Sequence, residues 1–322
     1  MIPIFPKFKK LNLEDKDEFE RLTVGLSHYT EFSFATSYAW DVMETLYISN
    51  LNDNLVVKFR DHHEKKDYFS IVGLKNIEES LIQVLEHSIN AGAGDTLYFI
   101  AHEIVKHIKG LEFLEIIEDR DSRDYVVTLK EFVQLKGGKL ADKRYKVNYF
   151  DKRHGAETEF KKLDLNDQKV IVDIRKVIQK WHPPKDKYFP MELLLELSAL
   201  ERMLRFHNEF KNIEVYGLYI QDKLEAFTVI QIASKTLAIG QFEKANKSYG
   251  GIFEYLNHKT MQSLHKEGFT HINIQQDLGY PGLRQSKSSY WPITYQKKYT
   301  VRHKGVPVRH KKNYTLTAHT AM

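Results

Sequence analysis

Apolar residues along this chain repeat with two different periods, and the switches between them mark out its elements. The clearest local feature is a pair of apolar-rich runs, 215–220 and 224–230, flanking Gln221-Asp222-Lys223; together they predict a β-hairpin. A third strand is predicted over 236–242, running out at Glu243-Lys244-Ala245-Asn246. Ser248-Tyr249-Gly250-Gly251 then opens a helix through His265, with Gly268 as its stop. Residues 269–274 alternate apolar and polar, as a strand with one buried face does, and 291–302 reads as the last strand. Upstream, the pattern predicts helices over 11–26 and 32–40, then a meander of strands at 45–49, 55–59 and 68–72 that turns at Asn52-Asp53-Asn54. A helix over 77–90, a strand at 97–100, a short helix over 102–109 and a strand at 111–117 follow. Beyond them come helices over 128–135 and 140–154, a strand at 157–163, and two long helices, 164–181 and 190–210, broken by His182-Pro183-Pro184. Strands alternating with helices argue for an α/β architecture with mixed sheets.

The chemistry concentrates in the stretch 274–290. Asp277 and Gly279 follow a predicted strand, Pro281-Gly282 marks a turn, and Arg284 and Lys287 stand three apart, on one side of a helical turn. A carboxylate and two cations beyond the C-terminal end of a strand are placed where α/β proteins hold ligands. A strand, a tight turn and a surface ion pair account for the same residues without function. In 140–154, Lys139, Lys143, Lys146 and Arg153 recur at offsets of 0, 4, 7 and 14, so they share a face. That face reads either as a phosphate cradle or as a solvated helix surface. The stripe Met191, Leu194, Leu195, Leu197, Ala199, Leu200, Met203 and Leu204 reads as core, with Glu201 inside it as a candidate base.

Composition narrows these readings. The chain has 322 residues, room for one large domain or two ordinary ones, and no cysteine, which excludes disulfides, thiol catalysis and Cys-zinc sites. No apolar run approaches the ~20 residues that span a bilayer, and the N-terminus lacks a signal-peptide layout. A soluble, cytoplasmic protein is the expectation. The net charge of +5 sits at the end of the chain: from Arg302 onward there are five Lys or Arg and no acid, leaving 43 basic and 43 acidic residues in the body. Residues 303–322 are expected to be a basic, mobile tail, either a solvated end or a contact for anionic lipid or RNA. Metal and serine-hydrolase chemistry find little footing. His62-His63 and the pair His102 and His107 lack a carboxylate at ligand spacing, and no Gly-x-Ser-x-Gly elbow is present.

The order hairpin, strand, Gly-marked helix, strand, short helix, strand is similar to the N-acyltransferase (GNAT-like) fold. A set of short motifs goes further. It comprises Glu118-Asp119-Arg120 with Asp124-Tyr125, Leu135-Lys136-Gly137, Lys143-Arg144, Asn148 and Phe150, Ala199-Leu200-Glu201-Arg202, Glu243-Lys244-Ala245, Gly250, Asp277-Leu278-Gly279, Pro281-Gly282-Leu283-Arg284, and Lys287. In order and spacing they resemble the phosphatidylglycerol lysyltransferase C-terminal domain family, from about mid-chain to Arg302.

The resemblance implies two GNAT-like domains in tandem: a degenerate first domain over 1–122 and a second over 123–302 that carries the site. It implies an acyltransferase moving an aminoacyl group from an aminoacyl-tRNA to a hydroxyl or amine, with no cofactor. The tRNA 3′ end is the implied partner, and an anionic lipid headgroup or a small amine the implied acceptor. By the same carry-over, Asp277, Glu243, Arg284 and Lys287 are the catalytic candidates. Glu201, Lys143, Arg144, Asn148, Tyr249, Gly250, Gly279 and Tyr290 are the substrate-binding candidates. Two rival readings remain: an acetyl-CoA-dependent N-acetyltransferase, and a binding protein that keeps the fold without the chemistry. The first would need a pyrophosphate loop at Lys247-Ser-Tyr-Gly250-Gly251-Ile252, where a bulky Ile stands at a position that close backbone approach keeps small.

Overall fold

The computed structural model describes residues 1–61, 66–109, 111–181 and 190–304. The His62-His63 pair, the His182-Pro183-Pro184 break and all but the first two residues of the basic tail lie outside the described residues. The chain forms two units, each built on a seven-stranded mixed sheet.

The first unit holds residues 1–124 with 276–280 and 295 onward. Its elements are β1 (Lys9–Lys10), α1 (Lys16–Leu22), α2 (Phe34–Trp40), β2 (Tyr47–Leu51), β3 (Asn54–Asp61), β4 (Lys66–Val72), α3 (Ile77–Asn90), β5 (Thr96–Ala101), α4 (His102–Val105) and β6 (Leu114–Glu118). The meander β2-β3-β4 is antiparallel, and α3 carries the chain over to β5, parallel to β4. The α3 span is the predicted one because Ile77, Leu81, Val84 and Leu85 repeat at helical spacing and bury one face.

The second unit contains β7 (Asp124–Thr128), α5 (Leu129–Gln134), α6 (Ala141–His154), β8 (Thr158–Leu163), α7 (Gln168–Lys180), α8 (Pro190–Arg205), α9 (His207–Phe210), β9 (Ile213–Ile220), β10 (Lys223–Ile232), β11 (Leu237–Ala245), α10 (Ile252–Lys266), β12 (His271–Asn273), α11 (Pro281–Ser288) and β13 (Thr294–Gln296). The hairpin β9-β10 turns at Gln221 and Asp222, both at positive φ, as a two-residue turn compatible with strand twist requires. Strand β10 is buried along nearly its whole length, which is why its sequence runs apolar rather than alternating. Again a helix, α10, crosses from β11 to a parallel strand, β12. The two units therefore repeat one plan: antiparallel meander, crossover helix, parallel strand.

The last predicted strand, 291–302, is corrected. Its larger part, β14 (Lys298–His303), lies between β5 and β6 in the first sheet, while β13 borders β7 in the second. The plan is thus completed by strands distant in sequence, which hydropathy cannot assign.

Candidate functional site

Strands β11 and β12 pair over only three positions, Leu237–Ile239 against His271–Asn273. Strand β11 then continues to Ala245 without a ladder partner on that side among the described residues, while the chain leaves β12 at Asn273. The sheet opens there, and the gap is a small cavity of about 90 Å³ that is open on one side to solvent. Its walls include Gln241 and Glu243 of β11, Thr228 of β10, Asn257 of α10, Lys287 of α11 and Tyr290.

Alternation along β11 sends Glu243 and Lys244 to opposite faces. Glu243 turns toward α10, where its Oε1 accepts a hydrogen bond of 3.1 Å from the Asn257 amide. Lys244 turns toward α7 and α8 and is wholly buried, 2.5 Å from Glu196 with its ammonium 4.0 Å from the Trp181 ring centroid. Burial, reinforced by the charge of Glu254, lifts the Glu243 carboxyl to about 8, while Asn257, Lys143 and Lys244 pull the other way. Lys143 reaches in from α6, buried, with its Nζ 4.0 Å above the Tyr290 ring centroid and 3.7 Å from Glu254. Burial holds its ammonium below the ordinary lysine value against the pull of Glu254. Tyr290 stacks on Phe132 at 5.1 Å and accepts from Asn257; burial, with the Glu243 charge, keeps its phenol well above the usual range. Lys287 is buried and donates to the Ile274 carbonyl at 2.6 Å. One carboxyl titrating near neutrality, with two buried ammonium groups, an amide and a phenol about it, is a set suited to moving a proton next to a polarised carbonyl.

Of the candidates from sequence, Glu243, Lys287 and Tyr290 line this cavity and Lys143 covers Tyr290. The others are placed elsewhere. Asp277 lies in the first unit, wholly buried, taking a 2.5 Å bond from Arg120 and one of 2.9 Å from the Gly279 N–H. Both Asp277 and Gly279 thus shape a turn there and are absent from the cavity wall. Arg284 is half-buried on α11 and not part of the wall. Glu201 is half-buried, ion-paired with Arg175, and borders a separate hollow between α7 and α8. The apolar stripe of α8 is core only in its second half, since Met191 and Leu194 are exposed. Arg144 donates to the carbonyls of Leu135 at 2.6 Å and Gly137 at 3.0 Å, closing the C-terminal end of α5. Asn148 is exposed. Tyr249 packs edge-on against His154, and Gly250 lies against the Tyr149 ring. The four-cation face is neither cradle nor plain solvated surface, because Lys143 turns inward and Lys146 bonds Glu254 at 3.1 Å.

Asn257, Glu254, Thr228 and Gln241 were not anticipated. Glu254 and Asn257 stand three apart in the first half of α10 and so share one side of it, but several other polar residues of the same helix do so too, and nothing in the sequence singled this pair out. Among the described residues, no cluster of His, Asp and Glu suits a metal ion, and no helix is long and apolar enough to cross a membrane.

The family model described as "Phosphatidylglycerol lysyltransferase, C-terminal" matches residues 24–302. Among curated proteins, the uncharacterized protein MYCGA3080 of Mycoplasmoides gallisepticum is 25% identical over 195 residues, 61% of this chain and 60% of that one, so the match covers less than two thirds of the relative's length. A conserved protein of unknown function from Bacteroides thetaiotaomicron superposes with a TM-score of 0.78 at 23% identity, over 94% of this chain and 100% of the other. The structure of L-PGS from Bacillus licheniformis superposes with a TM-score of 0.62 at 16% identity, over 93% and 94% of the two chains.

Proposed function

Because the chain belongs to the phosphatidylglycerol lysyltransferase C-terminal family, we propose that the cavity between β11 and β12 transfers an aminoacyl group from an aminoacyl-tRNA to a hydroxyl or amine acceptor. At the coarser level the chain is a GNAT-like acyltransferase by family and by its two tandem repeats of the fold. The observation that carries the finer reading is Glu243, a half-buried carboxyl lifted to about 8 on the wall of a cavity that the fold leaves open.

An aminoacyl ester is already activated, so the site has three tasks: to align the acceptor, take its proton and stabilise the oxyanion. In this reading Glu243 accepts the proton of the attacking O–H or N–H as the new bond to the carbonyl carbon forms. The proton then passes to the departing ribose oxygen as the ester bond breaks. The Lys287 ammonium, held by the Ile274 carbonyl, faces the developing oxyanion, and Lys143 with Tyr290 and Asn257 orients the acceptor. Asp277, Arg284, Arg144, Glu201, Asn148 and Gly279 take no part in these steps.

Coenzyme A finds less support as donor. A Cβ on Gly251 would lie 2.5 Å from the Lys146 carbonyl oxygen, so the close approach that glycine allows is taken up by α6 rather than kept for a pyrophosphate.

The test is loss of label from aminoacyl-tRNAs, measured with phosphatidylglycerol vesicles and with small amines as acceptors. Wild-type protein should transfer label to one of them, with a rate that climbs with pH and levels off above about 8, since Glu243 must be ionised to act. Glu243→Gln should lower the rate by roughly 10²–10⁴-fold. Stabilisation by acetyl-CoA with no transfer from any aminoacyl-tRNA would overturn the assignment.

A further inference from the structure

The cation-rich helix α6 turns only part of its surface inward, and its outer face has a chemistry of its own. Tyr145 and Tyr149 stand four apart on it, exposed, with ring centroids 6.1 Å from each other. The Arg153 guanidinium lies 3.7 Å from the centroid of Tyr149. At the N-terminal end of the helix the exposed Trp291 donates its indole N–H to the Lys139 carbonyl at 3.0 Å, and the Lys139 ammonium lies 5.0 Å from the ring centroid. Tyr149 is held by its cation and Trp291 by its cation and its hydrogen bond, while Tyr145 packs beside Tyr149.

We propose that this face of α6, with Trp291, is a stacking platform for the unpaired end of an RNA strand. The proposal rests on the aminoacyl-tRNA reading for the identity of the RNA; the surface itself is argued from its own geometry. Proteins that hold single strands pair aromatic faces, on which bases of any identity stack, with cations that track the phosphates. The 14 residues of α6 span about 21 Å, room for roughly four nucleotides, at the small end of known single-strand sites. The helix also leads to the cavity: Lys143, on its inner side, covers Tyr290, so the platform and the cavity lie within about one helix diameter, ~10 Å.

A membrane surface fits this face less well. Interfacial helices bury Leu, Phe or Trp along one side, whereas Val147 and Phe150, the apolar residues of α6 other than Ala141, both point into the core.

Fluorescence anisotropy on the full chain tests the platform, with a labelled single-stranded RNA ending in CCA and the same sequence as a blunt duplex. The single strand should bind in preference to the duplex. Tyr145→Ala with Tyr149→Ala should weaken it by about tenfold or more per ring lost, whereas Tyr149→Phe, which keeps the ring against Gly250 and Arg153, should bind as wild type does. Arg153→Ala should weaken it less. Equal affinity for strand and duplex, or unchanged binding in the double variant, overturns the platform. So does binding of phosphatidylglycerol vesicles through the same tyrosines in place of RNA. Should the double variant keep its affinity while Glu243→Gln loses transfer, the platform fails and the catalytic reading stands; the converse result retains the platform and sinks the catalytic reading.

Discussion

The two units repeat one plan and treat its weak point in opposite ways. In both, a crossover helix forces a meander strand to part from its parallel neighbour. In the first unit, aromatic side chains of β3, β4 and β5 pack together beside it: Tyr68 meets Tyr98 edge-on at 4.8 Å, and Phe59 packs on both Tyr68 and Phe99. The turn before α3 is closed as well. Asn54 donates to the Lys75 carbonyl at 2.6 Å and accepts from its N–H at 3.0 Å, and a Cβ on Gly73 would lie 2.3 Å from the Asn54 side chain. In the second unit the gap stays open and is walled by Gln241, Glu243 and Asn257.

The second unit closes one buried ion pair, Lys244 with Glu196, much as the first closes its own, but around the cavity its buried charge differs in the same sense. In the first unit Lys298 donates to Glu31 at 2.6 Å and to Asp124 at 2.7 Å, while Thr30 and Gln276 bond the two carboxylates further. Against the cost of burial, Asp124 and Glu31 hold the Lys298 ammonium above its ordinary value. In the second unit, Glu243 has an amide for its hydrogen bond, and the ammonium of Lys143 sits over a ring. A charge cluster whose members bond one another holds a fold together, whereas one that keeps an acceptor facing a cavity retains the capacity to react.

The contrast predicts graded outcomes. Lys298→Met leaves two carboxylates buried without their cation and should cost about 3–5 kcal/mol in urea denaturation; a change below about 1 kcal/mol would mean the first unit's cluster is not structural. Next, Gly73→Ala and Gly251→Ala should each cost about 1–3 kcal/mol, because both have positive φ and no space for a Cβ. They differ in readout: the Gly251 variant should also lower transfer, and the Gly73 variant should leave it unaltered.

The remaining outcome is a pH dependence at the open gap itself. The folded-state value of Glu243, about 8, is raised above its ordinary 4.5, so the folded protein holds that proton more tightly than the unfolded chain. The associated stability is complete below about 4.5 and is lost as pH rises through about 8. Glu243→Gln removes that loss, so its melting temperature should gain on wild type from pH 5 to pH 9. An unchanging difference would place Glu243 in water.

Much of the element order was legible in the sequence, since burial writes its period into the chain. The α3 span, the β9-β10 hairpin and the Gly-marked start of α10 all follow from local rules that act within a few residues. The site was legible in part. Glu243, Lys143, Lys287 and Tyr290 came from motifs, and so did Asp277 and Glu201, which the fold employs elsewhere. A motif marks a residue as constrained without saying whether it binds Arg120 in a core or faces a cavity.

The sequence by itself determined that strands and helices would alternate in an α/β fold, that cysteine chemistry was closed to it, and which short runs carry charge. Tertiary structure alone decided that β14 returns to the first sheet, that residues 276–280 and 281–294 part into different units, and that the gap beside β11 stays unfilled. The reason is range. Periodicity and capping are settled between neighbours along the chain, whereas the solvation of a carboxyl depends on helices and strands a hundred residues away, and those meet it only when the sheet is complete.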